Sequence, residues 1–355
     1  MNLAITSLYL PSGSKIGVGY QVHHFANQMV SRGHSVVVFS QSGASPDSRY
    51  AVEVIRSPPP WRTFRFAWDL RSVNFQGFDA LHAHGDDWFL WGRKRPRHVH
   101  TYHGWCLLES VHASRPREKL RMLGLSACEY ASTALCDVAV AVSEHTRGMI
   151  PLKTCEVIPN GVDLGVFHPG EAKSAAPSIL FVGTLEGRKR GRMLLQKFRN
   201  DVLARIPEAE LWMVCEERVE GPGVRWFGRV SEVVLAELYR KAWVFCLPSS
   251  YEGFGIPYVE AMASGTAVVA TPNPGAREVT AYGYYGLLAE ERDLGAQLAG
   301  LILDSSRRKR MESRGLRRAQ EFGWDRVCGR YEDLYRGEAA QIHDHQLYKP
   351  LGTGE

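Results

Sequence analysis

The chain has 355 residues, 45% of them hydrophobic, with a formal charge of +5 and a pI near 8.8. Single cores rarely grow past ~250 to 300 residues, so this length predicts two domains, while the mild basic balance suits anionic substrates or an anionic membrane face and falls short of a nucleic-acid binder. Seven scattered cysteines, without CxxC or Cys/His clusters, argue against disulfide and zinc frameworks and for a reducing, cytosolic setting; the start shows no cleavable leader, and no apolar run approaches the ~20 residues that span a bilayer.

Leu3 to Leu10 reads as a first parallel strand, followed by a Gly/Ser loop through Gly19. Tyr20 to Ser31 then reads as a helix closed by Gly33, and Ser35 to Ser40 as a second strand. The loop GVGYQ begins a dinucleotide fingerprint, but Val22 stands where the third glycine belongs. Gly17 is therefore either a turn glycine that lets a substrate approach the backbone or a plain turn glycine. Ala51 to Ile55 is strand-like, and the prolines of Ser57 to Pro60 force an extended break. Trp61 to Trp68 interleaves Arg62 and Arg65 with aromatics, as in a packed surface helix or one facing a membrane or an acceptor.

Phe78 to His84 is a short buried strand whose alternate residues His82 and His84 share one face. His98 to Trp105 is a second such strand, delivering His103 and Gly104 at its end, where folds of this kind keep their sites. A tetrahedral zinc set cannot be assembled from His82, His84 and His103 alone; His103 is the one read as functional. Arg93, Lys94, Arg95, Arg97, Arg115, Arg117, Lys119 and Arg121 form either a solvated face or a surface for lipid phosphates or an anionic acceptor. Ser126 to Leu135 reads as helix and Asp137 to Val142 as strand; in Cys155 to Pro169, Asn160 and Gly161 suit positive φ. The small, polar stretch Gly170 to Pro177 reads as an interdomain linker.

The strand–loop–helix theme restarts with Ser178 to Val182, the loop GTLEGRKRG and a helix from Arg192 to Asn200. Arg188 and Lys189 at a strand's carboxyl end suit phosphate charge, unless they are simply solvated. Strands follow at Ala209 to Val214 and Val224 to Phe227, with a helix at Ser231 to Lys241. From Trp243 to Glu278, strand, loop, helix and strand form a parallel βαβ unit that puts Glu252 in the loop and Glu260 on the helix. Gly253 and Gly255 permit close backbone approach, and the helix start offers N–H groups to an anion. Asn273 to Glu278 reads as a glycine turn, Leu294 to Phe322 as one basic helical stretch, and Trp324 to Tyr335 as a last helix.

The chain resembles the retaining nucleotide-sugar glycosyltransferases of family 4 (glycosyl transferases group 1). The resemblance rests on the N-terminal glycine loop, VIPNGVD at Val157 to Asp163, FVGTLEGRK at Phe181 to Lys189, EGFGIPYVEAMASG at Glu252 to Gly265 and FGWDRV at Phe322 to Val327. It implies an α/β fold of two Rossmann-like doubly wound domains facing an interdomain cleft, the GT-B fold. The expected organisation is an acceptor-side domain at 1–169, a nucleotide-sugar domain at 170–322, a helix at 323–340 crossing back to the first domain, and a tail at 341–355. By motif position, Glu252 contacts the transferred sugar and Glu260 holds the ribose, while Phe254, Gly255 and Ile256 offer backbone N–H groups. Arg188 and Lys189 neutralise the leaving diphosphate without a metal or other cofactor. Gly183 and Thr184 belong to the same donor loop, His103 lies against sugar and acceptor, and Gly17 is the N-terminal loop glycine.

Ile16, Thr184 and Arg190 depart from residues common in the family, at a loop glycine, an arginine and a small residue respectively. The implied reaction is retaining transfer of a hexose from a nucleotide diphosphate sugar, UDP preferred over GDP, to a glycan, lipid-linked sugar or small-molecule hydroxyl. No nucleic acid is expected as partner; the protein is expected to be cytoplasmic, with peripheral membrane contact through the basic N-terminal domain left open beside a purely solvated face. A sugar-nucleotide epimerase of the same architecture and a non-catalytic nucleotide-sugar-binding protein are the alternatives.

Overall fold

The computed structural model of the chain describes residues 1–11, 17–59, 61–107, 116–150 and 155–338, with the backbone alone at 116–118. Ile16, Pro60, Arg115, the side chain of Arg117 and the stretch 341–355 lie outside the described residues. The chain divides into two compact units, one of Met1–Gly161 with a segment that begins at Trp324, the other of Val162–Gly323.

In the first unit β1 (Asn2–Thr6), β2 (Ser35–Ser40), β3 (Ala51–Val54), β4 (Ala80–Ala83), β5 (Arg97–Tyr102), β6 (Val138–Ala141) and β7 (Cys155–Val157) form one sheet in the order β3-β2-β1-β4-β5-β6-β7. In the second, β8 (Ser178–Val182), β9 (Glu210–Val214), β10 (Val224–Trp226), β11 (Val244–Leu247), β12 (Ala267–Ala270) and β13 (Leu287–Leu288) follow the order β10-β9-β8-β11-β12-β13. All pairings are parallel. Helices cover both faces of such sheets, which is why the central strands are short apolar runs rather than alternating ones. Ile5, Val38, Leu81, Val99 and Val140 are buried in the first sheet, Leu180, Phe245 and Val269 in the second. Each fully buried side chain of this kind contributes about 1.5–3 kcal/mol relative to exposure. In each sheet the strand order reverses once, between β1 and β4 and between β8 and β11, and the loops leaving those strand ends are where doubly wound sheets bind ligands.

The helix Trp324–Arg336 packs on the first sheet, where Trp324, Val327, Cys328, Tyr331, Leu334 and Tyr335 join the cluster of Leu3, Val22, Phe25 and Val99. Arg32 holds it with a two-pronged pair to Glu332, Nε to Oε1 at 2.8 Å and Nη2 to Oε2 at 2.9 Å. That hydrogen bonding is the main reason the Glu332 carboxyl falls to about 2.

Four local expectations change. Neither Asn160 nor Gly161 adopts a positive φ. A Cβ on Gly161 would lie 2.2 Å from Cε3 of Trp324, so glycine is required by an indole packed on the backbone, not by a turn. Gly170 to Pro177 is anchored in the second unit: Lys173 Nζ donates to the Gly265 carbonyl at 2.8 Å and to Thr266 Oγ1 at 2.9 Å, and Ser174 N–H to the Lys241 carbonyl. Small polar residues look alike in a free linker and in a satisfied loop. Asn273 to Glu278 is not a glycine turn but the start of the helix Pro274–Val279, capped by Asn273 Oδ1 on Ala276 N–H at 3.0 Å, with proline in the first turn where no donor is lost. The stretch from Leu294 forms two helices, Leu294–Leu303 and Ser305–Ala319, because Asp304 leaves the helical conformation to cap Arg307 N–H.

Candidate active site

In the second unit the reversal of strand order brings two loops together, the one after β8 and the one after β11. Gly183 leaves β8 with φ +159, and a 3-10 turn at Gly187–Lys189 follows, aiming two cations at the neighbouring loop. Arg188 Nη1 donates to Glu252 Oε2 at 2.8 Å and to the Tyr251 carbonyl at 3.0 Å; Lys189 Nζ donates to Glu252 Oε1 at 2.7 Å. The loops are also tied through the backbone, Ser250 N–H to the Arg188 carbonyl at 2.9 Å. Glu252 is only 5% exposed. Burial alone pushes its carboxyl up, but the charges of Lys189 and then Arg188 outweigh it and hold the group below its ordinary value. For Lys189 burial is the larger effect and holds the ammonium below the usual lysine range despite the Glu252 charge. One buried carboxylate between two cations leaves this corner with a net positive charge.

The helix Ile256–Ala263 starts beside this corner. Gly255 caps it at φ +97, and a Cβ there would lie 2.4 Å from the Tyr258 ring, so both backbone and space demand glycine. Among the described residues the N–H groups of Phe254, Gly255 and Ile256 donate to no protein acceptor. Such a cluster of free donors at a helix start favours an anion. Glu260, half-buried on the same helix, accepts from Tyr239 Oη at 3.0 Å, and burial followed by that carboxylate pushes the Tyr239 phenol well up.

The remaining residues of the loop after β8 divide clearly. Thr184 turns its hydroxyl back onto the Glu186 carbonyl at 2.8 Å. Arg190, in the left-handed region at φ +57, pairs with Glu291. Arg188 and Lys189 are thus the two cations of the loop that face Glu252, and Arg190 is not. The family resemblance singled out Arg188 and Lys189; that Arg190 turns away to Glu291 was not visible in the sequence, because the position of Glu291 is set by the fold.

In the first unit, the loop after β1 reaches Gly17 at φ +104, and β4 and β5 deliver the histidines. A Cβ on Gly17 would meet nothing within 4 Å, so this glycine answers to backbone conformation rather than to a close neighbour. His82 and His84 do share a face, with ring centroids 4.1 Å apart. His84 Nδ1 lies 2.8 Å from His103 Nε2, the two rings stacked at 5.1 Å, and His82 bonds Thr101 and Tyr335. Burial, then the nearby His100, lowers His103 to about 4 against hydrogen bonding to Asn160 that raises it. At neutral pH its ring is uncharged. Sequence reading chose His103 and, from the alternate spacing of HAH, put His84 on one face with His82, but it did not pair His84 or Asn160 with His103. It also passed over Asp87, fully buried, which accepts from Ser132 Oγ at 2.6 Å and from His100 Nδ1 at 2.8 Å beneath the same strand. Among the described residues no group of three or more His, Cys, Asp or Glu is arranged to hold a metal ion.

The sequence matches the family model described as Glycosyltransferase Family 4 over residues 16–166 and that described as Glycosyl transferases group 1 over residues 176–305. A curated phosphatidyl-myo-inositol mannosyltransferase of Mycolicibacterium smegmatis is 32% identical over 195 residues, which cover 50% of this chain and 50% of that protein. The chain thus spans about half the length of the first curated relatives it matches. Among solved structures, sucrose-phosphate synthase from Thermosynechococcus elongatus superposes with a TM-score of 0.77 at 20% identity, covering 95% of this chain and 98% of that one. HepE of Anabaena in complex with UDP-glucose gives 0.75 at 16% identity, covering 95% and 100%. With the two family models falling in order along the chain and two parallel sheets of the same strand order, the chain belongs to the family 4 glycosyltransferases (glycosyl transferases group 1) and has the GT-B fold.

Proposed function

We propose that the protein is a retaining, metal-independent glycosyltransferase that moves a hexose from a nucleotide diphosphate sugar to an acceptor hydroxyl. The observation that carries this reading is the buried Glu252 carboxylate held between Arg188 and Lys189 at the reversal of the second sheet, beside the free N–H groups that open the helix Ile256–Ala263. In this reading the diphosphate takes the two cations and the helix start, Glu260 holds the ribose, and Glu252 orients the sugar hydroxyls. Phe254, Gly255 and Ile256 present their N–H groups, with Gly183 and Thr184 shaping the loop.

Two carboxylates at the anomeric carbon, ~5 to 5.5 Å apart, would suit a double displacement through a covalent intermediate. If Glu260 is committed to ribose, that route lacks its second acid. The remaining route is a dissociative displacement in which the leaving phosphate accepts the acceptor's proton on the same face, so the protein supplies position and charge. A neutral His103 fits this division of labour, since no step in it asks that ring to carry the proton. The mannosyl transfer named for the mycobacterial relative supports a hexose, and the UDP-glucose bound to HepE supports UDP.

A panel of UDP-, GDP- and ADP-sugars, read by calorimetric binding and by slow hydrolysis, tests the donor side without knowledge of the acceptor. One nucleotide is expected to bind and hydrolyse with retained anomeric configuration, unaffected by EDTA. No binding across the panel, or activity abolished by EDTA, would overturn the reading.

Peripheral membrane contact belongs to the same proposal. No described helix is long and apolar enough to cross a membrane. On the first unit, however, Trp61, Trp68 and Trp91 are 70%, 56% and 51% exposed, and the Arg71 guanidinium lies 5.3 Å and 5.5 Å from the Trp68 and Trp91 rings. Exposed Arg62, Arg65, Arg93 and Lys94 flank them. Tryptophan among cations is the composition of an interfacial surface on anionic lipid. Co-sedimentation with phosphatidylglycerol vesicles, lost in Trp68→Ser and with phosphatidylcholine alone, is the expected result; equal binding to both lipids would count against it.

A further inference from the structure

The pair His84 and His103 fixes a proton. Their contact joins Nδ1 of one ring to Nε2 of the other at 2.8 Å, with the rings stacked at 25°. One proton lies in that bond, and two arrangements place it. In the first, His84 donates from Nδ1, leaving its own Nε2 as a bare lone pair, and His103 accepts at Nε2 and carries its proton on Nδ1. In the second, His103 donates from Nε2, and His84 must carry its proton on Nε2.

The surroundings of His84 decide between them. Its Nε2 is buried and has no hydrogen-bond partner among the described residues. The second arrangement would bury an N–H donor without an acceptor; the first leaves only an unfilled acceptor, the less costly of the two. On the other side of the pair, Asn160 raises the His103 pKa through hydrogen bonding, the direction expected of an amide oxygen accepting from the ring; with Nε2 taken by His84, the ring nitrogen left to donate is Nδ1, as the first arrangement requires. Both rings are held neutral, burial being the main cause for each, so neither arrangement is replaced by a charged one near pH 7. His84 itself is fixed by the Phe25 ring at 6.3 Å and the His82 ring at 4.1 Å, and His82 is tied to Tyr335 Oη at 2.6 Å.

We propose that His84 is a positioning residue that holds His103 as the Nδ1–H tautomer by donating to its Nε2. The inference rests on the proposed role of His103 at the transferring sugar for its bearing on turnover, but not for the tautomer itself. Which nitrogen of a histidine is protonated follows from the bond the other one makes, and here the bond at His103 Nε2 is supplied by His84.

Long-range proton–nitrogen NMR of 15N-histidine-labelled protein reads the tautomer directly. The wild type is expected to show His103 as Nδ1–H. His84→Leu removes the donor and is expected to give a mixed or Nε2–H form and to lower kcat on the order of tenfold or more, with KM for the donor little changed; losses of that size follow removal of a partner that orients a functional histidine. His84→Asn places an amide nitrogen where Nδ1 stood and is expected to restore both tautomer and kcat, whereas His84→Gln, reaching one atom further, is not. Thermal melts of all variants report folding. His103 found as Nε2–H in the wild type, or as unchanged Nδ1–H in His84→Leu, overturns the proposal. Near wild-type turnover in His103→Leu instead overturns the role given to His103 and leaves the tautomer result standing.

Discussion

A Glu252→Gln protein is expected to keep its fold, bind the donor diphosphate at least as tightly as the wild type, and lose about 10²- to 10³-fold in kcat, the cost typical of removing one group that stabilises a transition state. The replacement has the same shape, so packing around a side chain only 5% exposed is preserved. What changes is charge: Arg188 and Lys189 no longer spend their donors on a carboxylate and meet the diphosphate unopposed. Lys189→Ala should act differently. It strips a buried carboxylate of one of its two cations, and removing one partner of a buried pair is destabilising. A lower melting temperature, weaker donor binding and lost turnover are expected together. Donor calorimetry, melts and single-turnover rates on both variants check the pattern. Near wild-type turnover in either one would remove these residues from the site.

Gly275→Ala is expected to be nearly as damaging, although Gly275 carries no chemistry. A Cβ there would lie 2.4 Å from the Phe254 carbonyl oxygen and 2.8 Å from that of Glu252, and its N–H already donates to the Glu252 carbonyl at 2.9 Å. The obstacle is backbone and cannot swing aside, so the loop carrying Glu252 and Phe254 must shift. Misplacement by about 1 Å can cost on the order of 10² in rate, and overpacking about 1–3 kcal/mol in stability. Gly300→Ala is the control in the same unit: a Cβ there meets nothing within 4 Å, its helical setting favours alanine, and stability should hold or rise slightly. Equal behaviour of the two variants in donor binding would mean that the close approach at Gly275 does not set the loop.

The contrast between these two glycines marks what the sequence made legible. Strand–loop–helix alternation, the restart at Ser178 and the position of Glu252 between a strand and a proline-started helix all follow from local patterning, and the structure has them. Motif resemblance brought Arg188, Lys189 and Glu252 onto one short list, and the fold joins them within 2.8 Å. Contacts between residues far apart in the chain stayed hidden. Nothing near Gly161 announces Trp324, nothing near Arg190 announces Glu291, and the glycine of Asn273 to Glu278 looked like a turn because its neighbour, the Phe254 backbone, is brought there only by the sheet. Composition failed at Lys173 for a related reason: a polar stretch is free or anchored according to acceptors that lie elsewhere.

The helix Trp324–Arg336 has a consequence for how the protein comes into being. It fills the core of the first sheet with Tyr331 and Leu334 and bonds His82 through Tyr335. A ribosome therefore releases all of Met1–Gly161 well before the piece that closes its core exists. Val162–Gly323, by contrast, is contiguous in sequence among the described residues. Maturation is thus expected to run against the order of synthesis, the core of the earlier-made half closing only when Trp324 and the residues after it arrive.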